Sequence, residues 1–100
     1  MGREEIVKRL GQYHLTAFQK RVLLATYAIP KGKTLTYKQL AEKAGYPKAY
    51  RAVGSVMKMN PLAPEIPCHR VVKSDGTLGN YSAPGGISKK RRMLKAEHAL

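Results

Sequence analysis

The sequence predicts a mainly α-helical fold with a small β wing, a winged helix-turn-helix. Three observations predict it. Apolar residues recur at helical spacing in successive stretches between Thr16 and Met59. The two later stretches are joined by a tight turn containing Gly45, as in a helix-turn-helix. A turn signal, Ser74-Asp75-Gly76, then sits between two short β-prone runs.

The elements follow in chain order. MGREEIVKRLGQYH reads as a short polar helix, an N-terminal extension over residues 1–15; it lacks the continuous apolar centre of a signal peptide. Thr16 to Ile29 reads as a helix, with Phe18, Val22, Ala25 and Ile29 on one stripe. Thr16 and Gln19 have capping-box spacing, and Pro30 and Gly32 stop the helix. Thr36 to Ala44 repeats the pattern: Thr36 and Gln39 form the box, Leu40, Ala41 and Ala44 the apolar face, and Gly45 the stop. A third helix is expected from near Pro47, a residue favoured in a first turn, to about Met59. On it Ala49, Val53, Val56 and Met57 can face the core, while Arg51, Ser55 and Lys58 share another face. The prolines of NPLAPEIPCHR prevent regular structure. Val71-Val72-Lys73 and Thr77-Leu78-Gly79 are expected to pair as a hairpin, the wing. Ser82 to Gly86 is a loop, and Ser88 caps a last helix that reaches about His98.

Composition narrows the function. The chain has 100 residues, 43% of them hydrophobic, which suits one small folded domain. Nineteen Lys and Arg against six Asp and Glu give a net charge of +13. No acid lies between Glu5 and Glu42, nor between Asp75 and Glu97, where the run Lys89-Lys90-Arg91-Arg92 falls. Such charge is either a solvated surface or the mark of a polyanion partner, nucleic acid before an acidic membrane, and on the second reading the winged helix-turn-helix is a DNA-binding domain. Two cations and a small residue at Arg51, Ser55 and Lys58 would let a DNA backbone approach closely. No apolar run is long enough for a membrane span, and the protein is expected to be intracellular, in the cytoplasm or a nucleus.

A single cysteine excludes an internal disulfide and a Cys-rich zinc site, and three histidines beside it make a structural metal improbable. Cys68 is then either packing or a nucleophile. A thiol reacts as thiolate, so it needs a base or positive surroundings, and His69 and Arg70 are next to it. Neighbours in an extended segment point to opposite sides, so His69 would act through a water. Glu97 falls three and four residues from Leu94 and Met93, on their apolar stripe, where a carboxylate needs a partner. A Cys–His–carboxylate relay is one outcome; a Glu at the stripe's edge, solvated or paired with Lys, is the other.

These residues carry a resemblance. IPCHRVV, with Asn60-Pro61 upstream of the Cys–His pair and GNYS after the hairpin, closely resembles the C-terminal domain of the O6-alkylguanine-DNA alkyltransferases. RAVGSVMKMNP resembles their recognition helix and LTYKQLAEKAG the helix before it, so the likeness runs from about Thr16 to Glu97. It implies a stoichiometric, suicide methylated-DNA–protein-cysteine methyltransferase. Such a protein takes the alkyl group from O6-alkylguanine in duplex DNA onto its own cysteine, without cofactor or metal. It implies minor-groove binding and flipping of the damaged nucleotide, the general solution for chemistry on a stacked base.

By the same resemblance Cys68 is the acceptor, His69 the water-mediated base and Glu97 its orienting group. Arg51 is the finger that fills the gap left by the flipped base. Tyr37 crowds the 3′ phosphate and donates to guanine N3. Asn60 links the recognition helix to the active-site turn. The Cys68 and Val71 carbonyls accept from the exocyclic amine, the Ser82 N–H donates to O6, and Tyr81 shapes the pocket. The whole chain is then one catalytic and DNA-binding domain, residues 1–100, acting as a monomer without the separate N-terminal domain usual in the family. The segment APGGIS departs from the commonest form of the pocket loop. Two rivals fit less of the sequence: an alkyltransferase-like binding module, which would lack the reactive cysteine, and a winged-helix transcription or nucleoid factor with a structural one.

Overall fold

The computed structural model describes residues 2–63, 65–75, 77–79 and 86–99. In chain order they form α1 (Arg3–Leu10), α2 (Ala17–Tyr27), β1 (Leu35–Thr36), α3 (Tyr37–Lys43), α4 (Tyr50–Met59), a 3-10 turn (Cys68–Arg70), β2 (Val71–Val72) and α5 (Gly86–Ala96). The architecture is mainly helical with a small β element, as the sequence predicts.

Local chemistry sets the helix ends. Thr16 accepts from the Gln19 N–H at 3.1 Å while the Gln19 side chain accepts from the Thr16 N–H at 2.9 Å, which closes the capping box of α2. Thr36 and Gln39 do the same for α3, at 3.0 and 2.9 Å. At its other end Tyr46 N–H reaches the Ala41 carbonyl and Gly45 N–H the Glu42 carbonyl, a Schellman motif. Gly45 takes the required left-handed conformation, φ +91°.

Two helix starts differ from expectation. α4 begins at Tyr50, three residues after Pro47, because Pro47 occupies a turn closed by Ala49 N–H to the Tyr46 carbonyl at 2.9 Å. Proline there presets the second position of a turn, not the first of a helix. Ala49 is therefore the N-cap residue and half-buried, not a core residue of the helix. α5 begins at Gly86, so Ser88 lies inside its first turn and is not its cap.

The wing also differs. Val71–Val72 do not pair with Thr77 and Leu78; they pair in parallel with β1, Leu35 opposite Val71 and Thr36 opposite Val72. The Ser74–Asp75 turn still closes, with Lys73 N–H on the Thr77 carbonyl at 2.9 Å and Asp75 accepting from the Thr77 N–H and hydroxyl. The parallel pairing has a consequence for the site. Thr36 is the N-cap of α3, so β2 fixes where Tyr37 emerges relative to the cysteine turn.

The core is formed by Val22 and Leu23 of α2, Leu40 and Ala41 of α3, Val53 and Val56 of α4, and Leu62, Ile66 and Val71 beyond them. On α2 the buried set is Val22, Leu23 and Thr26, with Phe18 and Ala25 only half-buried. Thr26 is satisfied by donating to the Val22 carbonyl at 2.8 Å. The N-terminal extension is not merely polar. Ile6 and Leu10 of α1 are fully buried in the same core, so α1 packs as part of the fold.

Replacing Leu10 with Ala should therefore cost about 2–5 kcal/mol. At roughly 4–8 °C per kcal/mol for a domain of this size, a thermal melt should fall by about 8 °C or more. An unchanged melting temperature would make α1 a dispensable appendage.

Candidate active site and nucleic-acid interface

The site is built on the turn after the proline-rich segment. Cys68, His69 and Arg70 form one turn of 3-10 helix, closed by Arg70 N–H to the Pro67 carbonyl and Val71 N–H to the Cys68 carbonyl. Successive side chains then diverge by a third of a turn, not by the half-turn of an extended segment. Both Cys68 and His69 are buried. Asn60, at the end of α4, anchors the turn from below. Its Nδ2 donates to the Ile66 carbonyl at 2.9 Å and its Oδ1 accepts from the Leu62 N–H at 3.0 Å. The link from α4 to the cysteine turn is thus a side-chain bridge.

Glu97 lies just beyond α5 and is not solvated. Its Oε2 is 3.0 Å from His69 Nε2 and 2.7 Å from Arg70 Nη2, and its Oε1 accepts from Arg70 Nε at 2.9 Å. Arg70 Nη1 donates to the Ile29 carbonyl at 2.8 Å, tying the cluster to the end of α2. The Arg70 guanidinium and the His69 contact hold the Glu97 carboxyl down to about 2, so it is ionised. An ionised carboxylate only accepts, so His69 Nε2 carries the proton and Nδ1 presents its lone pair. Burial lowers the pKa of His69, which keeps the ring neutral. Nδ1 is fully buried with no hydrogen-bond partner among the described residues. A neutral imidazole nitrogen with a free lone pair is able to accept a hydrogen bond.

Burial pushes the Cys68 thiol up, against the opposing pull of the Asn60 side chain, the Lys90 charge and its own backbone. The resting group is a thiol, and it would become a thiolate only with a proton acceptor at hand. Lys90 was not legible as part of it. The Lys89–Arg92 run reads as solvated charge, yet Lys90 is completely buried and donates from Nζ to the Val71 carbonyl at 2.6 Å. Burial lowers its pKa to about 8, opposed by Cys68. The missed signal is its spacing: Lys90 precedes Leu94 by four residues and Glu97 by seven, on one helical stripe. The Val71 carbonyl is therefore already engaged by Lys90 and has one lone pair left for a second donor.

Tyr37, at the first position of α3, completes this face. Lys90 Nζ stands 6.0 Å from its ring centroid, within cation–π range. Burial, then the nearby Cys68, raises the phenol pKa, so it stays protonated and able to donate. Gly79 makes room for it: a Cβ there would meet the Tyr37 hydroxyl at 2.9 Å, and its φ of +76° favours glycine anyway. Tyr37 also borders a cleft of about 590 Å³ between α3 and α4, which Arg51, Ser55, Lys58 and Lys73 line. Arg51, Ser55 and Lys58 are exposed there on one face of α4, as their spacing predicts. Cys68 does not line the cleft; Tyr37 is the residue that touches both regions. Tyr81 and Ser82 lie outside the described residues.

Comparison with known proteins agrees with this geometry. The family described as 6-O-methylguanine DNA methyltransferase, DNA binding domain, matches residues 17–99. The chain belongs to that family. It is 51% identical over 82 residues to the bifunctional transcriptional activator/DNA repair enzyme Ada of Escherichia coli, covering 82% of this chain and 23% of Ada. It is 50% identical over 82 residues to the methylated-DNA–protein-cysteine methyltransferase of Methanosarcina barkeri, covering 82% of this chain and 51% of that protein. The chain thus spans about half or less of the length of these relatives. Among solved structures, Mycobacterium tuberculosis OGT in complex with DNA superposes with a TM-score of 0.80 at 43% identity, over 86% of this chain and 52% of that one. Atl1 of S. pombe, in complex with damaged DNA containing O6-carboxymethylguanine, gives 0.70 at 34% identity, over 85% and 79%. The helix α1 lies outside the family match.

The carboxylate cluster predicts an acid limb to stability in this family member. Glu97 has a folded pKa of about 2, below its ordinary 4.5, so its contribution is full above about pH 4.5 and is lost as pH falls toward 2. Thermal melts of the protein and of Glu97→Gln should differ most at neutral pH and converge across that window. Parallel curves from pH 7 to pH 2 would show that the cluster adds no pH-dependent stability.

Proposed function

We propose that the protein repairs O6-alkylguanine in duplex DNA by moving the alkyl group irreversibly onto Cys68, once per molecule. The observation that carries this is the buried, unpartnered Nδ1 of His69, the residue that follows a thiol kept protonated by burial, in a chain of the 6-O-methylguanine DNA methyltransferase family. In the proposed step His69 Nδ1 takes the thiol proton, through a bridging water, while Glu97 and Arg70 hold the ring. The sulfur forms its new bond to the alkyl carbon as the carbon–O6 bond breaks, and the electron pair leaves with guanine. The Tyr37 hydroxyl, still protonated, donates to the guanine as negative charge develops, the kind of stabilisation that lowers such barriers most. The thioether has no leaving route, so turnover stops at one.

In this reading the exposed face of α4 enters the minor groove, with Arg51 occupying the gap left by the flipped nucleotide and Ser55 and Lys58 on the backbone. Tyr81 and Ser82 contribute the pocket wall and a donor to O6. The chain acts inside the cell as a monomer and as one catalytic and DNA-binding unit, with no cofactor.

Incubation with a duplex containing O6-methylguanine should add one methyl group to the intact protein's mass, localised to Cys68. Cys68→Ala should bind the same duplex and gain nothing. Methyl loss from DNA with the Cys68→Ala protein would end the acceptor assignment. Binding without transfer by the unaltered protein would make it a recognition module instead.

Arg51→Ala separates flipping from simple binding. The single-turnover transfer rate should fall by at least tenfold, while affinity for undamaged duplex falls only a fewfold, as expected for the loss of one phosphate contact. Equal losses in the two measurements would reduce Arg51 to a backbone contact.

A further inference from the structure

A second cationic cleft lies away from the site. It has a volume of about 310 Å³ and is bordered by Arg3 of α1, Arg21 of α2 and Lys43 of α3 over a floor of Leu24, Ala28 and Ala44. No carboxylate lines it, and none of the three cations forms an ion pair among the described residues. The Arg21 guanidinium lies over Gly45, 3.5 Å from where a side chain there would begin. Three exposed like charges around one concavity repel each other and focus a positive field outward, which an anion relieves.

The direction of the cleft separates it from the face of α4. At 100° per residue, Arg21, Leu24 and Ala28 lie on the side of α2 opposite Val22 and Thr26. Thr26 faces α4, its hydroxyl 3.7 Å from the Met57 sulfur. The cleft therefore looks away from the outer face of α4 and shares no residue with the cleft that Arg51 lines. A duplex lying on α4 does not reach it.

We propose that this cleft takes the phosphodiester backbone of a second nucleic-acid segment, so that one protein molecule holds two duplex segments at once. Cations fit the phosphates, and the apolar floor fits the sugar edge between them. The inference rests on the DNA-binding part of the function proposed above, not on alkyl transfer. Its test uses unmethylated DNA, so each can fail alone.

The test is co-capture of a fluorescent duplex by a bead-bound duplex, both too short to wrap the protein. The unaltered protein should co-capture. Arg21→Gln with Lys43→Gln should reduce co-capture at least tenfold while changing affinity for a single short duplex, and methyl transfer, less than twofold. Lys43→Glu alone, at an exposed position, should weaken co-capture in the same direction if the double variant folds poorly. Absence of co-capture by the unaltered protein, or co-capture unchanged in both variants, would overturn the proposal. So would an equal loss of single-duplex binding, which would put the cleft on the same duplex. Displacement of the second duplex by polyglutamate, where free duplex of equal charge fails to compete, would assign the cleft to an acidic protein and overturn it as well.

Discussion

The carboxylate of Glu97 is where the rest of the molecule meets. It receives His69 and the Nε–Nη2 edge of the Arg70 guanidinium, and Arg70 Nη1 in turn donates to the Ile29 carbonyl. One ionised group thereby ties the end of α5, the cysteine turn and the end of α2 into a single arrangement. Such a group is costly to bury alone and becomes tolerable only when its lone pairs are filled by charged donors. The same contacts decide the chemistry. Because Glu97 must accept at Nε2, the basic lone pair of His69 is forced to Nδ1, toward the interior.

A second constraint comes from the short parallel pairing of β1 with β2. Two residues on each strand are too few to be stable by themselves. They are held by what flanks them: the capping box of α3 on one side and the buried Lys90 bond to Val71 on the other. The result is that Tyr37, Lys90 and Cys68 interact although they lie on three separate segments. Burial governs all three in the same direction, disfavouring charge on each: phenol and thiol are pushed up and the amine down. For Cys68 the Asn60 side chain, the Lys90 charge and the backbone oppose it, and for Lys90 the Cys68 charge does. At rest the phenol and the thiol are neutral, and a thiolate formed there would be favoured by the nearby Lys90 ammonium.

What the sequence made legible follows from which signals are local. Capping boxes at Thr16 and Thr36, the glycine stop at Gly45 and the amphipathic spacing of α4 act within a few residues, and the helices they define are present. The exposed triad of Arg51, Ser55 and Lys58 was readable for the same reason. The misreadings concern partners distant in the chain. Val71–Val72 have β propensity, but propensity does not name a partner, and the nearer candidate strand lost to β1. Pro47 is equally at home in a first helical turn and in the turn that precedes α4, and the bond from Ala49 to Tyr46 decided it. Ile6 and Leu10 were too sparse among charges to announce a buried face. Within the site, residue chemistry nominated Cys68, His69 and Glu97, and the resemblance to a family gave them roles and added Asn60. It did not supply Arg70 as the second clamp on Glu97, nor Lys90.

Lys90 shows why a charge run is a poor guide to its own members. Four consecutive cations on a helix cannot all face water on one side; at 100° per residue they sweep most of a circumference. One of them must turn toward whatever the helix packs on. Ordinarily that position is filled by an apolar residue, as Leu94 fills it one turn later. A lysine can stand there only if its ammonium finds acceptors and its stem finds apolar cover. The Val71 carbonyl and the Tyr37 ring provide both. The cost of burying the ammonium shows in its lowered pKa, and the compensation is a positive charge near the buried sulfur that favours its ionised form. The residue that most weakens the helix as a packing element is thus the one that favours the thiolate, and substitution by an apolar side chain would relieve the burial while removing that charge.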